Sequence, residues 1–248
     1  PVTVADVGAE ELIRDLIGRE WPGDGVIGEE CGRDEGRSAY RWVIDPIDGT
    51  KAFVHGVPLF GTLIGVQRKC ESGEAGLDGW QSVAGVARFP ALDECVWAML
   101  GAGASHQVRG QSPRPARVSA IRTLAESTIC TTTPQAMLEA GEASAAAPPG
   151  TRERYIELNR RAKLSRGWSD CYGTLLVATG RIEAMIDPPM KLWDVVALEP
   201  IVIEAGGKLT GWDGRPTDGS AGAVASNGWV HGEVMGVLGG SEEVKGEG

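Results

Sequence analysis

The stretch that decides the fold is WVIDPIDGTKAF, residues 42–53, in which an apolar run leads into two aspartates. The β-branched and aromatic residues before Asp45 are typical of a buried strand. We expect this strand to end at Asp45, because a proline forces extended geometry on the residue before it and fixes its own φ. The turn after Pro46 then brings Asp48 to the same side as Asp45. Two carboxylates held this close repel each other unless they share a proton or a cation.

Two interpretations of this stretch are equally supported by the residues. Aspartate, proline and glycine are all common turn residues, so a plain turn explains the pattern. Alternatively, the hard carboxylate oxygens at the end of a strand suit Mg²⁺. If a short helix begins at Gly49 and Thr50, its free N–H groups form an anion site, and glycine permits close approach. A cation beside an anion site is the arrangement that a phosphoryl group requires.

A second acidic stretch lies upstream of the first. VIGEE, residues 26–30, ends in Glu29 and Glu30 after an apolar pair and a glycine. Neither glutamate has a local partner in the sequence. A solvated helix start would also explain the pair and is its commoner role, because negative charge is favourable at a helix N-terminus.

A third acidic position lies in KLWDVVALEPIVIEAGG, residues 191–207, which has the apolar spacing of a helix. Asp194 is predicted as the N-cap of this helix, partly buried between two apolar neighbours. A capping role alone would explain it. Pro200 lies inside the same helix and should kink it, because proline removes one hydrogen bond. The sequence gives no local reason for that kink.

Composition excludes several classes of function. The 248 residues carry a net charge of −10, which argues against nucleic acid or an anionic membrane as the main partner. No apolar run approaches the roughly 18 residues of a membrane span, and no signal peptide is visible. The five cysteines form no CxxC pair, so we expect reduced thiols in a reducing compartment, the cytoplasm or a plastid stroma. The chain begins at Pro1 without Met, and we expect that a preceding helix or targeting segment is absent.

The remaining pattern predicts two domains. In the first half we expect a helix over 8–20, strands over 40–44 and 59–67, a loop over 71–80 and an antiparallel meander over 82–100. In the second half we expect a loop over 141–153, a helix over 152–163, a helix ending at Gly180, a strand ending at Asp187 and a strand with a turn over 207–214. We place an N-terminal α+β domain with the metal and phosphate motifs at 1–125. A C-terminal α/β domain carrying Asp194 and the substrate contacts follows at 126–248.

Together, GEE, WVIDPIDGTKAF and WDVVALEPIVIEAGG resemble the three signature stretches of the inositol monophosphatase superfamily, in its order and spacing. The resemblance implies an α/β fold, a layered αβαβα sandwich. It also implies a Mg²⁺-dependent, lithium-sensitive phosphomonoesterase that forms a homodimer. Lys51 after Thr50, the DCYG segment at 170–173 and Pro200 are most similar to the branch that hydrolyses histidinol phosphate. Inositol phosphate or a nucleotide 3′-phosphate is the alternative substrate, and a non-catalytic metal- and phosphate-binding module is the alternative from another class.

The resemblance also implies roles for individual residues. Two or three Mg²⁺ ions are expected. One would be held by Glu29, Asp45 and the carbonyl of Ile47, and a second by Asp45, Asp48 and Asp194. Thr50, helped by Glu29, would orient and deprotonate the attacking water, and the N–H groups of Gly49 and Thr50 would bind phosphate oxygens. The catalytic set is then Glu29, Asp45 and Thr50.

Substrate contacts are expected from two further acids. Histidinol phosphate carries an amine and an imidazole, for which carboxylates are suitable partners. Asp187 matches the position where the superfamily places a substrate-contacting acid, and Asp170 is the next candidate. Asp170 is explained equally well as the cap of the helix that follows it.

The histidines and Cys171 are expected to play no part in catalysis. The three histidines, His55, His106 and His231, have no metal-ligand spacing, so we expect surface or loop positions. We expect Cys171 to be a small buried residue and not a nucleophile.

Overall fold

The computed structural model of the chain describes residues 3–71, 77–139, 150–168 and 170–239. The helices are α1 Val4–Glu20, α2 Thr50–Val54, α3 Pro134–Glu139, α4 Thr151–Arg161, α5 Asp170–Ala178, α6 Leu192–Val195, α7 Leu198–Glu204 and α8 His231–Leu238. The strands are β1 Gly25–Gly28, β2 Gly32–Asp34, β3 Tyr40–Asp48, β4 Gly61–Lys69, β5 Trp80–Phe89, β6 Glu94–Met99, β7 Gly103–Val108, β8 Arg114–Pro115, β9 Thr128–Cys130, β10 Leu164–Arg166, β11 Ala184–Asp187, β12 Lys208–Thr210 and β13 Ala223–Ser226.

The first sheet has eight strands in the order β2-β1-β3-β4-β5-β6-β7-β8. Strands β3 to β8 each pair antiparallel with the next, so the predicted meander is confirmed and extends to Pro115. Burial alternates along β4, as expected for a strand with two differently covered faces. Helix α1 covers one face, where Ile17 packs with Val26 and Ile44.

The second sheet has five strands in the order β10-β9-β11-β13-β12. Helices α5 and α7 contact strands of this sheet, and α7 also contacts β5, β6 and β7 of the first sheet. The outer face of the second sheet is covered by α4 and α8, where Leu158 and Val234 join Ile186 and Val224 in one buried cluster. The observed order of layers is therefore α, β, α, β, α, which confirms the predicted sandwich.

The largest buried cluster lies between the two sheets. Leu63 and Phe89 of the first sheet pack in it with Leu175 of α5, Val202 of α7 and Ala225 of β13. Burial of each large apolar side chain contributes about 1.5–3 kcal/mol, so this layer is a major part of the stability. The first sheet ends at Pro115 and the second begins at Thr128. The division into domains 1–125 and 126–248 stays a prediction.

The strand that carries the two aspartates does not end at Asp45, as we expected, but continues to Asp48. Asp45 pairs with Leu63 and Asp48 with Gly61, so β3 has one more residue than β4 between these pairs. This is a β-bulge, which bends the strand without ending it. Pro46 lies within the bulge, a position where a sheet tolerates proline.

The helix predicted over 191–207 is two helices, α6 and α7, separated by a turn at Val196 and Ala197. Pro200 lies in the first turn of α7 and has no N–H to donate to the carbonyl of Val196 four residues earlier. The helical hydrogen bonding is therefore interrupted, as the proline predicted, but Val196 and Ala197 keep helical φ and ψ. Asp194 is the third residue of α6 and not its N-cap, which is Lys191.

Some predicted segments differ or lie outside the described residues. The helix at 152–163 and the strand ending at Asp187 are confirmed as α4 and β11, and Thr151 is already helical. Residues 72–76 of the predicted 71–80 loop and 141–149 of the predicted 141–153 loop lie outside the described residues. In the part of the chain that the structure describes, no helix is both long and apolar enough to cross a membrane.

The histidines differ from expectation at two of three positions. His55 is exposed, but His106 and His231 are buried. Each buried ring has a polar partner, since His106 Nε2 lies 2.6 Å from Oε1 of Glu94 and His231 Nδ1 lies 2.8 Å from Oγ of Ser226. Pairing permits burial that an isolated imidazole would not tolerate.

Candidate active site

Three acids from distant parts of the chain form one cluster. Each of Asp45, Asp48 and Asp194 offers a carboxylate oxygen, and these oxygens all lie within 4.8 Å of one another. In a regular strand, residues three apart point to opposite faces, but the extra residue of the bulge puts Asp45 and Asp48 on the same side. Helix α6 brings Asp194 to them from the other half of the chain.

Asp48 is held by the start of helix α5. The backbone N–H of Cys171, the second residue of α5, donates to Oδ2 of Asp48 at 2.6 Å. The first N–H groups of a helix have no partner within the helix, so a carboxylate is favourable there. Cys171 itself is buried, as predicted, and burial raises the pKa of its thiol, so it remains protonated.

Asp194 is held by its own helix. Its Oδ2 accepts the backbone N–H of Lys191 at 2.8 Å, which satisfies one of the free donors at the start of α6. The carboxylate is half-buried and remains turned toward the cluster. The local capping bond and the role in the cluster are therefore compatible.

Burial and mutual repulsion oppose ionisation of the acids in this cluster. Asp45 is 2% exposed, and its Oδ1 is buried without a hydrogen-bond partner. Burial, followed by the charge of Asp48, raises the pKa of Asp45 to about 11. Burial likewise raises the pKa values of Asp48 and Asp194.

No ion pair within the described residues involves these three acids. Such a group ionises at neutral pH only with a cation among the carboxylates. The donors are hard oxygens, and Oδ1 of Asp45 is buried without a hydrogen-bond partner. The residues therefore fit a divalent cation such as Mg²⁺.

Glu29 lies beside the cluster at the end of β1. Its N–H donates to the carbonyl of Ile44 at 3.2 Å, so it is adjacent to Asp45 in the sheet. The pKa of Glu29 is raised to about 7, first by burial and then by the charge of Asp194, while a hydrogen bond with Asp45 lowers it. The alternative of a solvated helix start is wrong, because residues 29–31 form the turn between β1 and β2.

Glu10 of helix α1 is a residue that the sequence analysis missed. It is fully buried, and its carboxylate accepts the N–H of Glu30 at 2.8 Å and that of Cys31 at 3.1 Å. Arg14 pairs with it at 2.7 Å. A Cβ at Gly28 would lie 1.9 Å from Oε1 of Glu10, so only glycine permits this approach. Glu10 thereby fixes the turn that carries Glu29.

The short helix α2 begins directly after Asp48, as the sequence suggested. Gly49 precedes it with φ of 82°, a left-handed conformation that favours glycine. Its surroundings are also tight, since a Cβ there would lie 3.0 Å from Oδ2 of Asp170. The hydroxyl of Thr50 donates to the carbonyl of Ile47 at 3.2 Å.

The predicted metal and phosphate residues all line one cleft, which Asp170 also lines: Glu29, Asp45, Ile47, Asp48, Gly49, Thr50, Asp170 and Asp194. A second cavity adjoins it, and its lining includes Asp187, Met190 and Leu198. Asp170, the first residue of α5, lines both. The structure thus brings every predicted site residue to one connected region, while their individual roles stay predictions.

Asp187 lies deeper than Asp170. It is 4% exposed, and its Oδ1 accepts the N–H of Thr132 at 2.9 Å. Burial raises its pKa to about 7, against the opposing effect of the Thr132 hydrogen bond. Thr132 was not predicted from the sequence as a site residue, and both Thr132 and Thr133 line the cleft.

Comparison with known proteins gives consistent matches along the chain. The model of the inositol monophosphatase family matches residues 1–238. A histidinol-phosphatase of Mycobacterium tuberculosis is 39% identical over 235 residues, which are 95% of this chain and 83% of that protein. A histidinol-phosphatase of Chlorobaculum parvum is 38% identical over 244 residues, 98% of this chain and 85% of that protein. The structure of an inositol monophosphatase from Anabaena matches with a TM-score of 0.79 and 27% identity, covering 98% of this chain and 89% of that one.

Proposed function

The chain belongs to the inositol monophosphatase family, and on that premise we propose that it is a Mg²⁺-dependent phosphatase that hydrolyses histidinol phosphate to histidinol and phosphate, a step of histidine biosynthesis. The family assignment makes the chain a metal-dependent phosphatase. The choice of substrate is supported by its similarity to histidinol-phosphatases over nearly its whole length. The observation that carries the chemistry is the buried group of three acids with an unpartnered oxygen of Asp45.

The proposed ligands divide into two overlapping sets. Glu29, Asp45 and the carbonyl of Ile47 would hold one ion, while Asp45, Asp48 and Asp194 would hold the other. A bound pair of Mg²⁺ ions supplies positive charge to the attacking and leaving oxygens of the phosphate ester. The burial of the acids supports this proposal, because it makes the empty cluster costly and a bound cation favourable.

The chain's own groups would place the phosphate and the water. The N–H groups of Gly49 and Thr50 lie at the start of α2, where helix donors have no internal partner, so they suit phosphate oxygens. The hydroxyl of Thr50 would orient the attacking water, and the carboxylate of Glu29 would accept its proton. Both residues line the same cleft as the three aspartates.

Asp170 and Asp187 are the proposed contacts for the cationic end of the substrate. Asp170 lines both the cleft and the adjoining cavity, so a substrate with its phosphate at α2 would pass it. Asp187 lines the cavity beyond and already accepts one backbone N–H. A carboxylate at each point would recognise the amine and the imidazole of histidinol.

Phosphate release from a panel of substrates tests the proposal. Histidinol phosphate should give the highest kcat/KM, with activity that requires Mg²⁺ and falls with lithium. Faster phosphate release from inositol 1-phosphate or from a nucleotide 3′-phosphate would overturn the proposed substrate. Inositol 1-phosphate is the favoured alternative because of the match to an inositol monophosphatase structure. Equal, negligible rates for the wild type and Asp45→Asn would instead indicate a non-catalytic metal- and phosphate-binding module.

Assembly and compartment belong to the same proposal. We propose a homodimer, to be measured by sedimentation equilibrium, with a monomer at all concentrations as the contrary result. None of the five cysteines is in a disulfide, which supports a reducing compartment such as the cytoplasm or a plastid stroma.

A further inference from the structure

The turn between α6 and α7 rests on two paired glycines of the first sheet. Gly65 of β4 and Gly85 of β5 are register partners on adjacent strands. Neither has a positive φ, so the backbone conformation does not require glycine at either position. The reason for glycine must therefore lie in the space above the two strands.

That space is filled by backbone of the turn. A Cβ at Gly85 would lie 2.0 Å from the carbonyl oxygen of Ala197 and 2.7 Å from its carbonyl carbon. A Cβ at Gly65 would lie 2.6 Å from Cγ1 of Val196 and 2.8 Å from the nitrogen of Ala197. These separations are well below the roughly 3.5 Å of normal contact between non-bonded heavy atoms. The strands and the turn touch at a distance that only glycine allows.

The backbone approaches the sheet at the point where the helical hydrogen bonding is interrupted. Pro200 cannot donate to the carbonyl of Val196, so the helical hydrogen bonding is interrupted at Val196 and Ala197, which keep helical φ and ψ and lie with their backbone against the sheet. Both residues are almost fully buried, at 2% and 1% exposure. The kink that the sequence left unexplained therefore fits against the two glycines.

The same contact sets where Asp194 lies. Asp194 is two residues before Val196 in the short helix α6, while Asp45 and Asp48 lie on β3, the neighbour of β4. One rigid sheet thus holds the two fixed acids and supports the turn that carries the third. Functional groups need positions held within about 0.5 Å, which is less than the displacement that a methyl group at Gly85 would force.

We propose that Gly65 and Gly85 are positioning residues. Because they have no side chain, the turn packs directly on the sheet, and this contact sets the distance from Asp194 to Asp45 and Asp48. The inference rests on the proposed function in one respect, that these acids hold a divalent cation. A methyl group at either glycine would lift the turn, move Asp194 and weaken the cation site, while Asp45 and Asp48 stay in place.

Gly85→Ala is the direct test, with Gly236→Ala as its control. Gly236 lies in α8, has no positive φ, and has no atom within 4 Å of an added Cβ. The full chain is titrated with Mn²⁺ and with Mg²⁺ by calorimetry in the absence of substrate, and folding is followed by circular dichroism. We expect Gly85→Ala to weaken metal affinity by at least about 10-fold, as is usual for loss of a supporting contact around a metal, and Gly236→Ala to leave it unchanged.

A double-mutant cycle separates positioning from a general loss of stability. In the Asp194→Asn background, where the third ligand is already lost, Gly85→Ala should weaken metal affinity no further. The same loss of affinity in both backgrounds, or a lower melting temperature with affinity within twofold of the wild type, would overturn the inference.

If the Gly85→Ala variant does not fold, the Gly65→Ala variant is used to test the inference. Its shortest contact is with the end of a side chain, Cγ1 of Val196, so Gly65→Ala should weaken affinity and Gly65→Ala combined with Val196→Ala should recover part of it. No loss in the single variant would overturn the inference. Because the titration uses no substrate, the inference is tested even if histidinol phosphate is not hydrolysed. A wild type that binds no divalent cation would instead remove the proposed function, and the inference with it.

Discussion

The backbone N–H of Cys171 donates a 2.6 Å hydrogen bond to Oδ2 of Asp48, and the two residues are 123 positions apart in the chain. The bond joins β3 of the first sheet to helix α5 of the central layer. One acid of the cluster is therefore fixed by both halves of the molecule, so the cluster forms only when the two sheets have packed on the layer between them.

Replacing Asp48 with Asn should separate catalysis from folding. Asn can still accept the N–H of Cys171, but a neutral amide is a weak ligand for Mg²⁺ and removes one of three clustered charges. We expect kcat/KM to fall at least about 100-fold, while the melting temperature in EDTA stays the same or rises. The control is Asp15→Asn, which alters an exposed acid of α1. Retained activity together with a lower melting temperature would contradict this role of Asp48.

Glu10 provides a second prediction, for a residue outside the cleft. Glu10→Ala removes the buried acceptor of the N–H groups of Glu30 and Cys31, while Arg14 keeps Asp34 as a partner, so we expect a total loss of about 1–3 kcal/mol of stability. The turn carrying Glu29 should loosen, and the Mg²⁺ concentration for half-maximal activity should rise about 10-fold.

The matched control for Glu10 is Glu11→Ala, since Glu11 is the next residue of the same helix and is exposed. Urea denaturation measures the stability, and phosphate release against Mg²⁺ concentration measures the metal requirement. Equal effects of the two substitutions would show that the turn does not depend on the carboxylate of Glu10.

Asp187 leads to a pH dependence of stability. Its folded-state pKa is raised from 3.8 to about 7 by burial, so between these values the folded state binds more protons than the unfolded state. Stability in EDTA should therefore fall as pH rises from 4 toward 8, by up to about 1.4 kcal/mol for each unit of the pKa difference. Asp187→Asn keeps an acceptor for Thr132 and should reduce this fall. Urea titrations at pH 5 and pH 8 measure it, and identical pH slopes for wild type and variant would exclude Asp187 as a source.

Local signals in the sequence predicted much of the site. Asp45, Asp48, Gly49 and Thr50 lie in one continuous stretch, where apolar periodicity and proline chemistry act over a few residues. The position of Asp194 near them followed only from the family resemblance, because no local rule relates residues so far apart. The N-cap assigned to it was wrong by three positions, since Lys191 is the N-cap and Asp194 accepts the N–H of Lys191 from within the first turn.

Tertiary contacts explain most of what the sequence did not reveal. Strand β13, Ala223–Ser226, is buried on both faces and short, so it has no alternation to detect. Helix α8 contains two glycines, and its sequence gave no clear start signal. Glu10 looked like one more polar residue of α1, since the backbone N–H groups that it accepts belong to residues 20 and 21 positions away. The buried His106 depends in the same way on Glu94 across the sheet.

Mg²⁺ itself should stabilise the folded chain through the acidic cluster. A ligand at 100 times its dissociation constant adds about 2.7 kcal/mol to the free energy of unfolding when it binds only the folded state. Asp45 has the buried oxygen without a hydrogen-bond partner, so Asp45→Asn should remove most of this stabilisation. The same variant should be at least as stable as the wild type in EDTA, because without a cation Asp45 has to be protonated on folding, and Asn has no such requirement.

Both effects are measured by thermal unfolding with and without MgCl₂ in calcium-free buffer. Asp15→Asn is the matched surface control. An equal Mg²⁺-induced shift in Asp45→Asn and the wild type would place the stabilising ion elsewhere on this acidic chain. An Asp45→Asn variant less stable than the wild type in EDTA would show that the carboxylate contributes to folding through contacts of its own and not only through a bound cation.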